Sequence, residues 1–248
     1  MLELARPIRF PFEQDQTYTI GALRTFERNL SAARQVDKAL SQEWRIPSTP
    51  EARRWGKIRE ETYPIKLLAD HKGYSDGATF RLKPYGFPAV DAELSVGQEQ
   101  FALQITIADP IWASDGAKVR HGGYDNRLLM EALNRQGFVH GSGGLRRNGD
   151  DIVCDEMVKD GSDGAHACRK GIVAALARKS KPNGRPNMRL LIHTRAYTMQ
   201  VVDEGYGNVV TEALREFKVS RDKEEIPYAA LYFVEEREFV EHNRPFLD

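Results

Sequence analysis

Two neighbouring strand-like stretches carry side chains that could hold a divalent cation. In FPAVDAELSVGQEQFALQITIAD, residues 87–109, Asp91 and Glu93 lie two positions apart, so both side chains leave the same face of a strand. The second stretch offers the amide oxygen of Gln104 and the backbone carbonyl of Ile105. Carboxylate and carbonyl oxygens are the ligands that Mg²⁺ prefers. The pattern therefore indicates a site for Mg²⁺, or for Mn²⁺ in its place, on two paired strands.

A further carboxylate is expected from the helix that precedes these strands. Glu60 and Glu61 are both candidates. We favour Glu61 because it lies three residues after Ile58 and four before Ile65, near the apolar side of the helix. Taken alone, an Asp-x-Glu pair is more often the solvated face of a half-buried strand. The order of the surrounding elements has to decide between these two interpretations.

The N-terminal part of the chain has two helical patterns. Apolar residues recur at three- and four-residue steps over 23–40, which predicts an amphipathic helix. A second helix is expected to have Ser48 or Thr49 as its cap and Pro50 in its first turn, and to continue through EARRWGKIREETYPIKLLADH. Pro64 is expected to kink or divide that helix.

The rest of the chain alternates strands and helices. Three strands are expected first, ATFRLKP, AVDAELSV and FALQITIA, and the short turn GQEQ predicts that the last two form an antiparallel hairpin. A helix follows in YDNRLLMEALNRQG, then a loop in HGSGGLRRNGDD and a basic helix in HACRKGIVAALARKSK. The last elements are a central strand in MRLLIHTRAYTMQVV, a helix in NVVTEALREF and a strand in YAALYFVEE. This order predicts an α/β domain with a mixed central sheet flanked by helices.

The domain organisation follows from the same pattern. Residues 1–48 are interpreted as an N-terminal helical segment. Residues 49–248 are interpreted as the α/β domain, with a polar, basic insertion at about 138–187.

The order of these pieces resembles the PD-(D/E)xK restriction-endonuclease-like superfamily. The resemblance covers about residues 51–137, where VDAEL stands at the motif aspartate and LQIT at (D/E)-x-K, and residues 188–217 fit the remainder. It implies an α-β-β-β-α-β core and a magnesium-dependent enzyme that hydrolyses phosphodiester bonds of nucleic acid. The catalytic residues would be Asp91, Gln104, Glu61, Glu93 and Thr106, and the metal would lie against Asp91, Gln104 and Ile105.

The chain departs from the superfamily pattern at two positions. Gln104 replaces the second acidic residue, a change also found in active members. Thr106 replaces the lysine, and a threonine neither acts as a base near neutral pH nor brings positive charge to a phosphate. Lys118 and Lys83 are candidates to replace that lysine. The alternatives are a catalytically inactive nuclease-fold protein that serves as a nucleic-acid-binding or assembly module, and an unrelated α/β protein.

The charges are balanced overall but unevenly distributed. The chain has 36 basic and 36 acidic side chains, yet residues 165–200 hold eight basic residues and no acidic one. Such a segment is either an ordinary solvated helix or a surface for phosphate. The side chains expected to contact a nucleic-acid backbone, DNA in the first place, are Arg146, Arg147, Arg169, Lys170, Arg178 and Lys179. A homodimer or a recruiting protein partner is also compatible with this interpretation.

Composition restricts the class of protein. No apolar run approaches the ~18–20 residues that span a bilayer, and the first residues, MLELARPIRFPF, lack the apolar core of a secretory signal. Two cysteines among 248 residues are too few for a disulfide framework. We therefore expect a cytoplasmic protein with reduced thiols.

Overall fold

The computed structural model describes residues 10–36, 50–84, 90–109, 145–148, 151–154, 161–180, 187–194, 205–220 and 226–243. The helices in these ranges are α1 (Ile20–Val36), α2 (Pro50–His71), α3 (Gly161–Lys179) and α4 (Tyr206–Ser220). The strands are β1 (Thr17–Thr19), β2 (Thr79–Leu82), β3 (Ala92–Val96), β4 (Glu99–Ala108), β5 (Leu145–Asn148), β6 (Asp151–Cys154), β7 (Met188–Thr194), β8 (Ala230–Val234) and β9 (Phe239–Asn243).

A seven-stranded mixed sheet organises the described part of the chain. Its strand order is β1-β2-β3-β4-β7-β8-β9. The strands from β1 to β4 are antiparallel to one another, β4, β7 and β8 are parallel, and β9 returns antiparallel to β8. The predicted α/β class with a mixed sheet is therefore confirmed at this coarse level.

Helices cover both faces of the sheet. On one face Leu30 of α1 and Ile58 and Ile65 of α2 belong to the same apolar cluster as Leu103 of β4. On the other face α3 and α4 pack through residues such as Leu176 and Leu214 against Leu190 and Phe233. The two apolar clusters make three layers, helices, sheet and helices, as expected for an α/β domain.

The predicted antiparallel hairpin is confirmed as β3 and β4. Val96 pairs with Glu99 across a two-residue turn. Gly97 has φ +60° there, a backbone conformation that L side chains rarely adopt, and glycine tolerates it without steric cost.

The second helix has the predicted ends but is less interrupted than predicted. α2 starts at Pro50, as predicted, and runs without a break through Pro64 to His71. Pro64 removes one backbone donor, but Ile58 before it and Ile65 after it are both buried against the sheet. Tertiary packing on either side of the proline therefore keeps the two halves in one helix.

In two segments the structure differs from what the sequence predicted. The stretch HGSGGLRRNGDD was expected to be a loop, yet residues 145–148 are strand β5, paired antiparallel with β6. The dipeptide Gly149-Asp150 between these strands is a type that favours two-residue hairpins, a signal that the glycine-rich composition obscured. α3, inside the range expected as an insertion, packs directly against β4 and β7.

The N-terminal elements belong to the same layers. β1 pairs with β2, and α1 contributes to the same apolar cluster as α2. The helix expected at 124–137 lies outside the described residues. Among the described helices, none is both long enough and apolar enough to cross a membrane.

Candidate metal-binding site

The candidate site lies where β3 separates from β4. Their pairing ends at Ala92, opposite Leu103, while β4 continues to Ala108. The N–H of Asp91 still donates to the Leu103 carbonyl at 2.9 Å. The Asp91 Oδ2 then accepts the N–H of Ile105 at 2.6 Å. The carboxylate of Asp91 thus takes the place of the next acceptor in the ladder.

The carbonyl of Ile105 faces the same side as this contact. Along a strand, the N–H and C=O of one residue point to the same neighbouring strand, and the direction alternates with each residue. Because the Ile105 N–H reaches Asp91, its carbonyl faces the same side of β4. On that side no described strand pairs with β4 beyond Leu103, and we call this stretch the opening beside β4. The predicted pair of a carboxylate and a main-chain carbonyl is therefore brought together by the end of the β3–β4 ladder.

Glu61 of α2 reaches the same region from the other layer. Its Oε2 is buried and has no hydrogen-bond partner in the described structure. Burial raises the pKa of Glu61 to about 8, and the negative charge of Asp91 adds to the rise. Glu60, the alternative candidate, is exposed. Glu61 is therefore the helix glutamate that lies within electrostatic reach of Asp91.

Gln104 lies on the opposite face of β4 from Ile105 and is held by Tyr228. The Tyr228 hydroxyl donates to the Gln104 Oε1 and also to the Lys179 carbonyl, the latter at 2.9 Å. Burial, followed by the charge of Asp91, raises the pKa of the Tyr228 phenol, so this hydroxyl keeps its single proton.

The Tyr228 hydroxyl has one proton and two acceptors. The Gln104 Oε1 and the Lys179 carbonyl both lie within its reach, and the hydroxyl is the donor in each contact. Tyr228 therefore holds the Gln104 amide by its oxygen, whose second lone pair stays available to a cation.

The surroundings of Glu93 and Thr106, two of the predicted catalytic residues, make them less suitable for catalysis or metal binding. Glu93, the alternative ligand, forms an ion pair of 2.7 Å with Lys83. This pair occupies both the second carboxylate of the Asp-x-Glu motif and one of the two lysines proposed to replace the motif lysine. Lys118, the other lysine, lies outside the described residues. Thr106 is buried, and strand alternation places it on the same face of β4 as Gln104.

Two of the six basic residues expected to contact nucleic acid, Arg169 and Arg178, make contacts within the protein. Arg169 is half-buried and contacts the His166 Nδ1 at 2.7 Å and Glu216 of α4. Arg178 donates to the carbonyl of Ile107 at 2.7 Å, so its guanidinium lies against β4.

The remaining four candidates differ in position. Lys170 and Lys179 are half-buried on α3. Arg146 and Arg147 lie on β5, whose side chains are outside the described structure.

Sequence reasoning missed Tyr228 altogether and assigned Lys179 only to the nucleic-acid surface. Tyr228 joins Gln104 across 124 positions of sequence, which no local pattern can indicate. Lys179 did carry a signal, since it lies three residues after Leu176 and four after Ala175, on the apolar stripe of α3.

The donor set of the site is made of hard oxygen atoms. Two carboxylates, one amide oxygen and one main-chain carbonyl come from Asp91, Glu61, Gln104 and Ile105. Within the described ranges, no group of three or more His, Cys, Asp or Glu residues converges as a metal cluster. A metal at this site would therefore depend on neutral oxygen donors and water as well as on the two carboxylates.

Comparison with known proteins adds no family to this description. No protein-family model, no curated protein sequence and no solved structure matches the chain.

Proposed function

We propose that the protein is a Mg²⁺- or Mn²⁺-dependent phosphodiesterase that cuts nucleic acid. The observation that carries the proposal is that Asp91 binds the Ile105 N–H where β3 stops pairing with β4, with Glu61 close enough for the charge of Asp91 to raise its pKa. These are the residues that the sequence resemblance assigns to the metal site and its helix glutamate.

The order of the described elements supports the restriction-endonuclease-like fold. In chain order the described elements α2, β2, β3, β4, α3 and β7 give α-β-β-β-α-β, with the β5–β6 hairpin before α3. The helix that the resemblance places in this core, at 124–137, lies outside the described residues. β2, β3, β4 and β7 are neighbours in the sheet in that order, with α2 on one face and α3 on the other. The candidate site lies on the second and third of these strands, where the resemblance expects it.

The residues fit a hard divalent cation. Glu61 has a buried oxygen without a partner, and its carboxyl group and that of Asp91 repel each other when both are ionised. A divalent ion would satisfy that oxygen and compensate the repulsion. Asp91, Glu61, Gln104 and the Ile105 carbonyl would hold it.

Hydrolysis of a phosphodiester consumes one water molecule. The water oxygen forms a bond to phosphorus, the ester P–O bond breaks, and the departing oxygen receives a proton, which gives a phosphate monoester and an alcohol. When bound, the ion supplies Lewis-acid polarisation of the phosphate and lowers the pKa of water. Glu61 has a pKa of about 8 in the metal-free protein, so its carboxyl group has to release a proton before it can hold the ion. Asp91, bonded to the Ile105 N–H, keeps its carboxylate in a fixed position.

The test combines binding and cleavage on the same samples. Calorimetric titration with Mg²⁺ and Mn²⁺ is expected to show binding to the wild type and none to Asp91→Asn. Cleavage of single- and double-stranded DNA and of RNA should require the ion and disappear in the same variant. Metal binding that is equal in wild type and variant would overturn the proposed site.

A catalytically inactive protein of the same fold, which binds or assembles, is the second candidate function because of one observation. The position of the motif lysine is occupied by Thr106, which is buried and uncharged. A binding or assembly module would retain affinity for nucleic acid and show no cleavage with any of these substrates and ions.

A further inference from the structure

The last turn of α3 lies beside the candidate site and ends in a lysine. Ala175 and Leu176 are fully buried against the sheet. Lys179 follows them by four and three residues, so it lies on the same stripe of the helix, and it is half-buried. A lysine in such a position packs its aliphatic stem along the apolar surface and extends its ammonium to the nearest polar region.

Two contacts hold this turn beside β4. The Lys179 carbonyl accepts from the Tyr228 hydroxyl at 2.9 Å, and the same hydroxyl contacts Gln104. Arg178 donates to the carbonyl of Ile107 at 2.7 Å. The backbone of Lys179 is thus one bridging hydroxyl away from the Gln104 side chain.

We propose that Lys179 is the cation of this site and supplies from α3 the positive charge that the resemblance assigns to the position of Thr106. The inference rests on the proposed function and identifies the residue that would face the phosphate. Lys83 is less suitable, because its ammonium is paired with Glu93 at 2.7 Å.

The electrostatics of Glu61 agree with this geometry. Burial raises the pKa of Glu61 most, the charge of Asp91 raises it further, and the charge of Lys179 acts in the opposite direction. Lys179 therefore lies close enough to influence a carboxyl group that comes from the opposite face of the sheet. An ammonium there offers three donors to the non-bridging oxygens of a phosphate, where negative charge increases during hydrolysis.

The first experiment tests the placement of Lys179 without metal or substrate. Urea unfolding is measured in EDTA at about pH 9, above the Glu61 pKa of about 8, for Lys179→Met, Glu61→Gln and the double variant. We expect the loss in unfolding midpoint caused by Lys179→Met to be smaller in the Glu61→Gln background. Lys218→Met is the matched control, since Lys218 is also a lysine in the last turn of a helix, α4, and is exposed. Its effect should be the same in both backgrounds.

The second experiment measures turnover at saturating DNA with Mn²⁺. Lys179→Met should lower turnover about 100-fold, the usual effect of removing one donor to a developing charge. Lys179→Arg should retain more activity because it keeps the positive charge, and Lys218→Met should match the wild type. The folded state of each variant is checked by its cooperative unfolding in the first experiment.

The outcomes separate this inference from the proposed function. If Lys179→Met couples to Glu61→Gln and also lowers turnover, both the role of Lys179 and the phosphodiesterase activity are supported. Coupling in a protein whose wild type cleaves no substrate overturns the phosphodiesterase and supports Lys179 as the cation of a binding site. Additive effects of Lys179→Met and Glu61→Gln, or full turnover in Lys179→Met, overturn the inference.

Discussion

Asp91 has two roles that substitution can separate, one structural and one electrostatic. Its carboxylate accepts the N–H of Ile105 at 2.6 Å and also brings negative charge to the opening beside β4. Asp91→Asn keeps an oxygen that can accept this N–H, so stability should stay close to that of the wild type while metal affinity is lost. Asp91→Ala should lose the metal and also about 1–3 kcal/mol of unfolding free energy, because the Ile105 N–H is left without its acceptor. Urea unfolding and calorimetric Mn²⁺ titration measure the two effects. A stable Asp91→Asn variant that binds Mn²⁺ like the wild type would show that Asp91 is not a ligand.

The pKa of Glu61 predicts a specific pH dependence of stability. Burial and the charge of Asp91 raise it from 4.5 to about 8 in the folded protein. Between these two values the unfolded chain has released the proton and the folded chain has not, so the unfolding free energy falls as pH rises through this window. Above about pH 8 the cost is fully present, and below about pH 4.5 it is absent.

Glu61→Gln removes this cost. The variant should be more stable than the wild type at about pH 9 by on the order of 2 kcal/mol, less than the full shift implies because the side chain is partly solvated. At about pH 4.5 the two proteins should be alike. Glu60→Gln, a change in the exposed neighbour, is the control and should show little of this effect. A stability difference between Glu61→Gln and wild type that does not change with pH would contradict the prediction.

At the scale of elements, one hydroxyl connects three parts of the chain. Tyr228, just before β8, contacts Gln104 of β4 and the last carbonyl of α3. Tyr228→Phe should cost about 1–3 kcal/mol, because buried polar partners are left unsatisfied, and should also weaken metal binding because the Gln104 amide is no longer oriented. Tyr206→Phe is the control, since the Tyr206 hydroxyl also belongs to a tyrosine with a buried ring and makes a 2.7 Å contact, with Thr194. It should lower stability by a similar amount and leave metal affinity unchanged. Equal effects of the two variants on metal affinity would contradict the orienting role of Tyr228.

The sequence predicted those elements whose signals are local. The β3–β4 hairpin and α2 were recognised because turn chemistry, capping residues and periodicity act over a few residues. β1 and β9 were missed because they are short strands at the edges of the sheet, where alternation is weak. The loop at 140–151 was wrong where it covers β5 because glycine and asparagine mark hairpin turns as well as loops.

The site could be predicted only in part. Glu61 and Asp91 were predicted as a pair mainly from the resemblance of the element order to a known superfamily, and less from periodicity. The structure places them within electrostatic reach of each other. The contacts of Tyr228 with Gln104 and of Lys83 with Glu93 depend on how the sheet and helices pack, and residue types alone do not reveal them. The role of Lys179 required knowing which part of β4 the last turn of α3 meets.

At the scale of the whole molecule, the site joins both helical layers through the sheet. Glu61 comes from the layer of α1 and α2, whereas Lys179 and the Tyr228 contact belong to the layer of α3 and α4. The end of β3 at Ala92 leaves the opening through which groups from the two faces approach each other. A ligand bound there would therefore stabilise the packing of the layers as well as the local strand end.

Metal binding should accordingly raise the stability of the whole fold, and more strongly at higher pH. At about 100 times the dissociation constant, a ligand that binds only the folded state adds about 2.7 kcal/mol. Because Glu61 must lose its proton to become a ligand and has a pKa of about 8, affinity should increase from about pH 6 to about pH 8.5. The rise in Tm with a fixed concentration of Mn²⁺ should therefore be larger at the higher pH in the wild type and absent in Asp91→Asn. In Glu61→Gln any remaining rise should be independent of pH over this range, since the titrating ligand has been removed. An equal rise in Tm in the wild type and in Asp91→Asn would mean that Mn²⁺ binds elsewhere on the protein, and the opening beside β4 would then not be a metal site.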